Sequence, residues 1–169
     1  MQGSVLGPTL FNINSSTLSP ICPGNEYFKY ADDANLLVPT SNLVTVHTEL
    51  LHHANWAANC NLKLNLSKTS EMVVCNRKVK PPPVHCGLKR VSTMNVLGVL
   101  VDDKLSFQQH VHKIVTNCSN IMFALRTLKQ HGLNMELVQD IYRATVVTKL
   151  LYAAPAWWGF HFSITYNHF

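Results

Sequence analysis

The stretch that most constrains this chain is KYADDANLLV, Lys29 to Val38, in which two adjacent aspartates interrupt an apolar, strand-forming run. The flanking segments EYFKY and ANLLV predict two short strands. Asp32 and Asp33 then fall at the tip of a β-hairpin. Neighbouring carboxylates repel one another and resist joint ionisation unless a cation neutralises them. Successive strand residues point to opposite faces, so a tight turn is needed to aim at least one carboxylate at a chosen spot. The residues alone leave two readings open, a solvated turn or a cation-binding tip. Magnesium takes oxygen ligands, one or two carboxylates plus substrate phosphates, so the second reading suits phosphoryl or nucleotidyl transfer. Another pair, Asp102-Asp103, lies between a strand and a helix start, where aspartate is a favoured turn residue, and reads as structural.

The elements around the hairpin follow from periodicity and punctuation. QGSVLGPTLFNI reads as a glycine-rich loop entering a helix, with Pro8 in the first turn. Leu43, Val46, Leu50, Ala54 and Ala57 recur at helical steps, which predicts an amphipathic helix from Leu43 to Asn61. LKLNLSKTSEMVVC and VSTMNVLGVLV each carry a β-branched, apolar stretch that predicts a strand. Ser106 and Gln109 form a capping-box pattern before a helix from Phe107 to about His131, which Gly132 ends. Asn134 caps a further helix to about Ala154, where Pro155 is expected to stop it. The order is that of an α+β fold with a helical C-terminal part.

Composition narrows the function classes. With 47% hydrophobic and 14% charged residues over 169 positions, the chain is expected to bury a core rather than remain disordered. The most apolar candidate for a membrane span, ATVVTKLLYAAPAWWGF, is broken by Lys149 and Pro155. The start, MQGSVLGPTLF, has no basic region or cleavage pattern, so the expected location is intracellular. Cys22, Cys60, Cys75, Cys86 and Cys118 form no C-x-x-C pair, and the histidines lack a ligand spacing, which predicts reduced thiols and no zinc. The net charge of +5 is concentrated in RKVKPPPVHCGLKR, Arg77 to Arg90, with five basic residues and no acidic one. That segment is either a phosphate-contacting surface or a solvated hairpin loop.

Taken together, the motifs resemble a known family. YADD is similar to the metal-binding motif of reverse transcriptases, and its neighbours agree in order and spacing. QGSVLGPTLFNI resembles the loop and helix that precede that motif in the polymerase palm. WAANCNLKLNLSKT resembles the segment that follows it, and VLGVLVDDKLSFQQHV the hairpin that grips the primer. IYRATVVTKLLYAAPAWWGF is similar to the next helix in non-LTR retrotransposons. The resemblance runs from Gln2 to about Phe160. It implies a partial palm of β-hairpin, helix and antiparallel strands over residues 1–105, a helical thumb-like region over 106–160, and an off-family tail over 161–169.

The resemblance also implies chemistry. The chain is expected to be part of an RNA-directed DNA polymerase that adds nucleotides to a primer 3′-OH by two-metal catalysis. Its partners would be an RNA template, a DNA primer and deoxynucleotide triphosphates, with no membrane, and the resemblance leaves the oligomeric state open. Asp32 is the expected metal ligand and Asp33 an auxiliary one, for Mg²⁺ with Mn²⁺ as a substitute. Gln2, Gly3, Tyr30 and Ala31 would lie against nucleotide and template. Lys68 would neutralise or protonate the departing pyrophosphate, its alternative being a solvated loop lysine. Leu97 and Gly98 would shape the primer-gripping hairpin. Trp56, Trp157 and Trp158 either stack on bases or pack. The family's upstream aspartate strand and fingers are not in this sequence, so the chain alone is expected to extend no primer. The alternatives are a non-catalytic nucleic-acid-binding remnant and an unselected relic, for which the tail HFSITYNHF is the hint.

Overall fold

Pro8 sits in the first turn of α1 (Gly7–Ser16), where its missing N–H costs no hydrogen bond. This holds in a computed structural model that describes residues 4–74, 81–84 and 87–165, with side chains to Gly159. Gln2, Gly3, most of the basic stretch around the triple proline, and the last residues of the tail lie outside the described residues. The chain divides into two compact units, Met1–Thr69 and Ser70–Phe169.

In the first unit, β1 (Glu26–Tyr30) and β2 (Asp33–Leu37) form an antiparallel hairpin in which Tyr30 pairs with Asp33. Along β1 the half-buried residues alternate, with Tyr27 and Lys29 inward. A 3₁₀ segment, Thr40–Thr45, leads into α2 (Val46–Asn59). The expected helix from Leu43 is therefore two elements. Asn61, at φ 54, closes α2: its N–H donates to the Ala58 carbonyl at 3.1 Å and that of Leu62 to Ala57 at 2.8 Å. Asparagine tolerates this left-handed position at a helix end better than most residues. The core of the unit contains Leu18 and Ala57, and the wholly buried Glu49 is held by hydrogen bonds from the Ile21 and Cys22 N–H groups and the Asn25 amide.

The second unit corrects both long strand expectations. Among the described residues LKLNLSKTSEMVVC contributes only β3 (Ser70–Glu71), paired in parallel with β4 (Lys89–Arg90). Residues 65–69 instead form a turn, held by N–H groups of Lys68 and Thr69 donating to the Asn65 carbonyl. VSTMNVLGVLV is not one strand but a hairpin, β5 (Thr93–Val96) with β6 (Val99–Asp102). Its reversal at Leu97 and Gly98, with φ of 48° and 87°, is invisible to hydrophobicity because Leu97 keeps the apolar run unbroken. It is, however, where the resemblance expects a hairpin.

The capping box is also replaced. Phe107, at φ 53, precedes α3 (Gln108–Gln130), and Ser106 Oγ donates to Asp102 Oδ2 at 2.6 Å. Asp102 Oδ1 accepts from the N–H groups of Lys104 and Ser106. Burial favours the neutral form of Asp102, but these bonds outweigh it and hold the carboxyl below its ordinary value. The turn reading of this aspartate is thus what the structure shows. Gly132 ends α3 as its position predicts, with the Leu133 N–H donating to the Leu128 carbonyl.

Asn134 Oδ1 accepts from the Glu136 N–H and caps α4 (Met135–Tyr142). A π turn, Arg143–Val147, joins α4 to α5 (Thr148–Leu151). Pro155 does not stop this helix. The break comes at Tyr152 and Ala153, and Pro155 stands in the first turn of α6 (Ala154–Thr165). Val99, Phe107, Ile114, Cys118, Val146 and Trp157 form the core. The protein is α+β, with two antiparallel hairpins and one short parallel pair among the described residues. No helix among the described residues is long and apolar enough to cross a membrane.

Candidate functional site at the acidic hairpin tip

Ala31 and Asp32 are the two residues of the β1–β2 turn, with Ala31 in the left-handed region at φ 49. Two-residue hairpins reverse most easily with a positive φ at this position, which glycine or asparagine usually supplies. Alanine there leaves Asp32 at the apex and Asp33 as the first residue of β2. Both carboxylates are exposed.

The hairpin is anchored from below. Lys29 Nζ donates to the Ser15 carbonyl at 2.6 Å and to Leu18 at 2.8 Å, fixing β1 to the last turn of α1 and the loop beyond it. Tyr27 meets the His53 ring edge-on, with centroids 5.5 Å apart. Tyr27 is held neutral, its hydroxyl pushed up to about 12 by burial first and then by the Glu49 charge. Burial, and then the charge of His52, lower the pKa of His53. Glu49 is the opposite case. Burial favours its neutral form, but bonds from Cys22, Asn25 and Ile21 prevail and keep it ionised.

A small cleft of about 150 Å³ opens beside the tip, with Ala31, Asp32, Asp33, Lys29, Lys63 and Trp56 among its lining residues. Lys29 is committed to backbone carbonyls, which leaves Lys63 as the exposed cation of this cleft. Lys68 and Tyr30 do not line it. Lys68 lies exposed in the turn after Asn65, and Tyr30, 67% exposed, ends β1. Leu97 and Gly98 turn the β5–β6 hairpin of the other unit. Of the three tryptophans, Trp157 is core at 2% exposure, and Trp56 Nε1 donates to Thr17 Oγ1 at 2.8 Å. Trp158 is half exposed and its ring lies 5.5 Å from that of Trp157.

Lys63 was not legible as a site residue. In NLKLN it stands between two leucines with nothing local to mark it, and it reaches the cleft just after the Asn61 reversal that closes α2. No cluster of three or more His, Cys, Asp or Glu side chains able to hold a metal exists among the described residues. The Asp32–Asp33 pair therefore fits a hard cation that takes only one or two protein carboxylates and fills its remaining positions with water or phosphate oxygens. It does not fit a site built wholly from protein ligands.

A family model described as reverse transcriptase (RNA-dependent DNA polymerase) matches residues 1–101. The chain is 29% identical to the RNA-directed DNA polymerase from mobile element jockey of Drosophila melanogaster, over 75% of this chain and 14% of that protein. It is 27% identical to the probable RNA-directed DNA polymerase from transposon BS of the same organism, over 98% of this chain and 20% of that protein. A Pol polyprotein from the type-1 retrotransposable element R1 2 of Nasonia vitripennis is 26% identical, over 93% of this chain and 42% of its own length. The chain thus spans well under half the length of these relatives. No solved structure matches it significantly. With the acidic hairpin inside the matched segment, and that segment covering more than half of the sequence, the chain belongs to the reverse transcriptase family, in the branch carried by non-LTR retrotransposons.

Proposed function

We propose that this chain is part of an RNA-directed DNA polymerase in which Asp32 and Asp33 hold divalent ions against the triphosphate of an incoming deoxynucleotide. The observation that carries the reading is the tip itself: two exposed carboxylates on an anchored two-residue turn, beside a cleft whose exposed cation is Lys63. Such a donor set suits Mg²⁺, with Mn²⁺ as a substitute. Two such ions, when bound, stabilise the attacking and leaving oxygens of the transfer.

The chain's own residues have separate tasks in this reading. The Ala31 turn presents Asp32, and the contacts of Lys29 with the end of α1 keep that presentation rigid. Lys63 offers a compensating charge to phosphate oxygens near the tip. Lys68, a mobile point charge on an exposed turn, neutralises the departing pyrophosphate. Tyr30 and Ala31 lie beside nucleotide and template with Gln2 and Gly3, and Leu97 and Gly98 belong to the hairpin that holds the primer. Residues 1–105 then serve as palm and 106–160 as a thumb-like region.

The resemblance expects a further aspartate on another strand to share the metals, and among the described residues no third carboxylate joins Asp32 and Asp33, which leaves the two-metal coordination incomplete. The chain by itself is therefore expected to extend no primer on an RNA template. The test of the reading is binding of a primer–template with a deoxynucleotide triphosphate, measured in Mg²⁺ and in chelator. Mg²⁺ should strengthen binding, and Asp32→Asn should remove the gain. Equal affinity in all three conditions would leave a metal-independent nucleic-acid-binding remnant in place of a polymerase part.

A further inference from the structure

A proline locks its own φ at about −65° and pushes the residue before it out of the helical region. In the run Pro81-Pro82-Pro83 both restrictions fall on Pro81 and on Pro82, so the run stands as polyproline II before any contact is made. That helix turns once about every three residues. Pro81 and Val84 therefore share one edge, Pro83 lies on a second, and Pro82 faces the third. Exposure follows the same period. Pro81, Pro83 and Val84 are exposed, while Pro82 is half-buried.

The inner side of the run is fastened to the β3–β4 pair. Arg90 Nη1 donates to the Pro82 carbonyl at 2.6 Å and Nη2 to that of Pro83 at 3.0 Å. Glu71, its partner across the pair, orients the guanidinium by accepting from Nε at 2.9 Å and from Nη2 at 2.8 Å. The rigid fork engages the carboxylate and both carbonyls at once, which the point charge of a lysine does not.

A flexible ligand loses conformational freedom when it binds, and that loss weakens affinity. Here the prolines and Arg90 have already fixed the backbone, and two edges remain open to solvent. Grooves lined by aromatic side chains, of the SH3, WW and EVH1 type, take ligands of this form. Residues 77–90 also carry five basic residues and no acidic one, which favours a groove with an acidic rim.

We propose that residues 81–84 are a docking ligand for a partner protein whose polyproline-binding groove is lined by aromatic side chains and rimmed by carboxylates. Pro81 and Val84 enter that groove along one edge and Pro83 along the next, while Pro82 stays on Arg90. The surface lies within Ser70–Phe169 and does not depend on a metal at Asp32 and Asp33.

The test titrates the full chain with purified SH3, WW and EVH1 domains by calorimetry, and follows the Val84 methyl signals by NMR. At least one domain with an acidic rim should bind saturably and shift those signals. The Pro81→Ala, Pro83→Ala double substitution should weaken that binding by about tenfold or more. Both prolines are exposed, so the melting midpoint should stay close to that of the unsubstituted chain. Arg90→Lys keeps the charge and the exposed edges but loses the fork, and should weaken binding by about threefold or more. A short single-stranded RNA is titrated in parallel. If the RNA shifts the Val84 signals and no domain does, the segment contacts polynucleotide and the proposal falls. Absence of saturable binding to every domain, or a double variant that binds as the unsubstituted chain does, also overturns it.

Discussion

The Tyr152 hydroxyl donates a 2.7 Å hydrogen bond to the Leu97 carbonyl, tying the end of α5 to the tip of the β5–β6 hairpin. A Cβ on Gly98 would stand 3.3 Å from Tyr152 Cε1, so the neighbouring glycine is needed for this approach as well as for its φ of 87°. Gly98→Ala should cost about 1–2 kcal/mol and Tyr152→Phe about 0.5–1.5 kcal/mol. Leu97 occupies a left-handed position that asparagine favours, so Leu97→Asn should stabilise the hairpin by about 1 kcal/mol. Urea unfolding of the three variants checks all of these signs, and a stabilised Gly98→Ala protein would contradict the geometry.

Glu49 holds the loop before β1 through three donors, the buried Asn25 amide and the part-buried N–H groups of Ile21 and Cys22. Glu49→Ala should cost about 1–3 kcal/mol, because the Ile21 and Cys22 N–H groups lose their acceptor while the Asn25 amide keeps Thr45 Oγ1. The pH dependence has a definite sign. The folded carboxyl lies below its ordinary value of 4.5, so the unfolded chain takes up the proton at higher pH. Its stabilisation is complete above that value and is lost as pH falls through the folded one. Acid unfolding followed by circular dichroism should show this loss, and Glu49→Gln should remove it.

His53 and His110 titrate below the ordinary value of 6.5, each through burial first and then a neighbouring charge, His52 and Lys113 respectively. The unfolded chain therefore protonates first. Thermal stability should decline as pH drops below about 6.5, then level off once the folded rings are also charged. NMR titration of the two rings locates the end of that decline. Rings that titrate above their ordinary value would reverse the sign.

Each described sheet has two strands, so every strand has an unpaired edge among the described residues. Large apolar side chains are also exposed, among them Val5, Leu10, Phe28 and Phe123. The chain is expected to self-associate as its concentration rises. Sedimentation velocity across a concentration series measures this, and a single monomer boundary throughout would count against it.

The sequence made some elements plain and concealed others for identifiable reasons. The hairpin at Asp32–Asp33 was legible because two apolar strands flank a polar break. Helix α3 was legible because its apolar face repeats and Gly132 closes it. The turn at Leu97–Gly98 was hidden from periodicity, since leucine gives no turn signal, and emerged only through motif resemblance. Pro155 was misread because proline ends one helix or opens the next, and local sequence does not say which. At the sites, Lys63 and Arg90 gain their neighbours from tertiary packing that no spacing along the chain encodes.

The account rests on Asp32 and Asp33 holding a divalent ion together with nucleotide phosphates. The most direct measurement is Mn²⁺-induced broadening of backbone amide signals in the full chain, with and without a deoxynucleotide triphosphate. Broadening should centre on residues 31–34, strengthen with the nucleotide, and vanish in the Asp32→Asn, Asp33→Asn double variant, whose exposed side chains leave the fold unchanged. Broadening spread evenly over the surface, or unchanged in the double variant, would contradict the account.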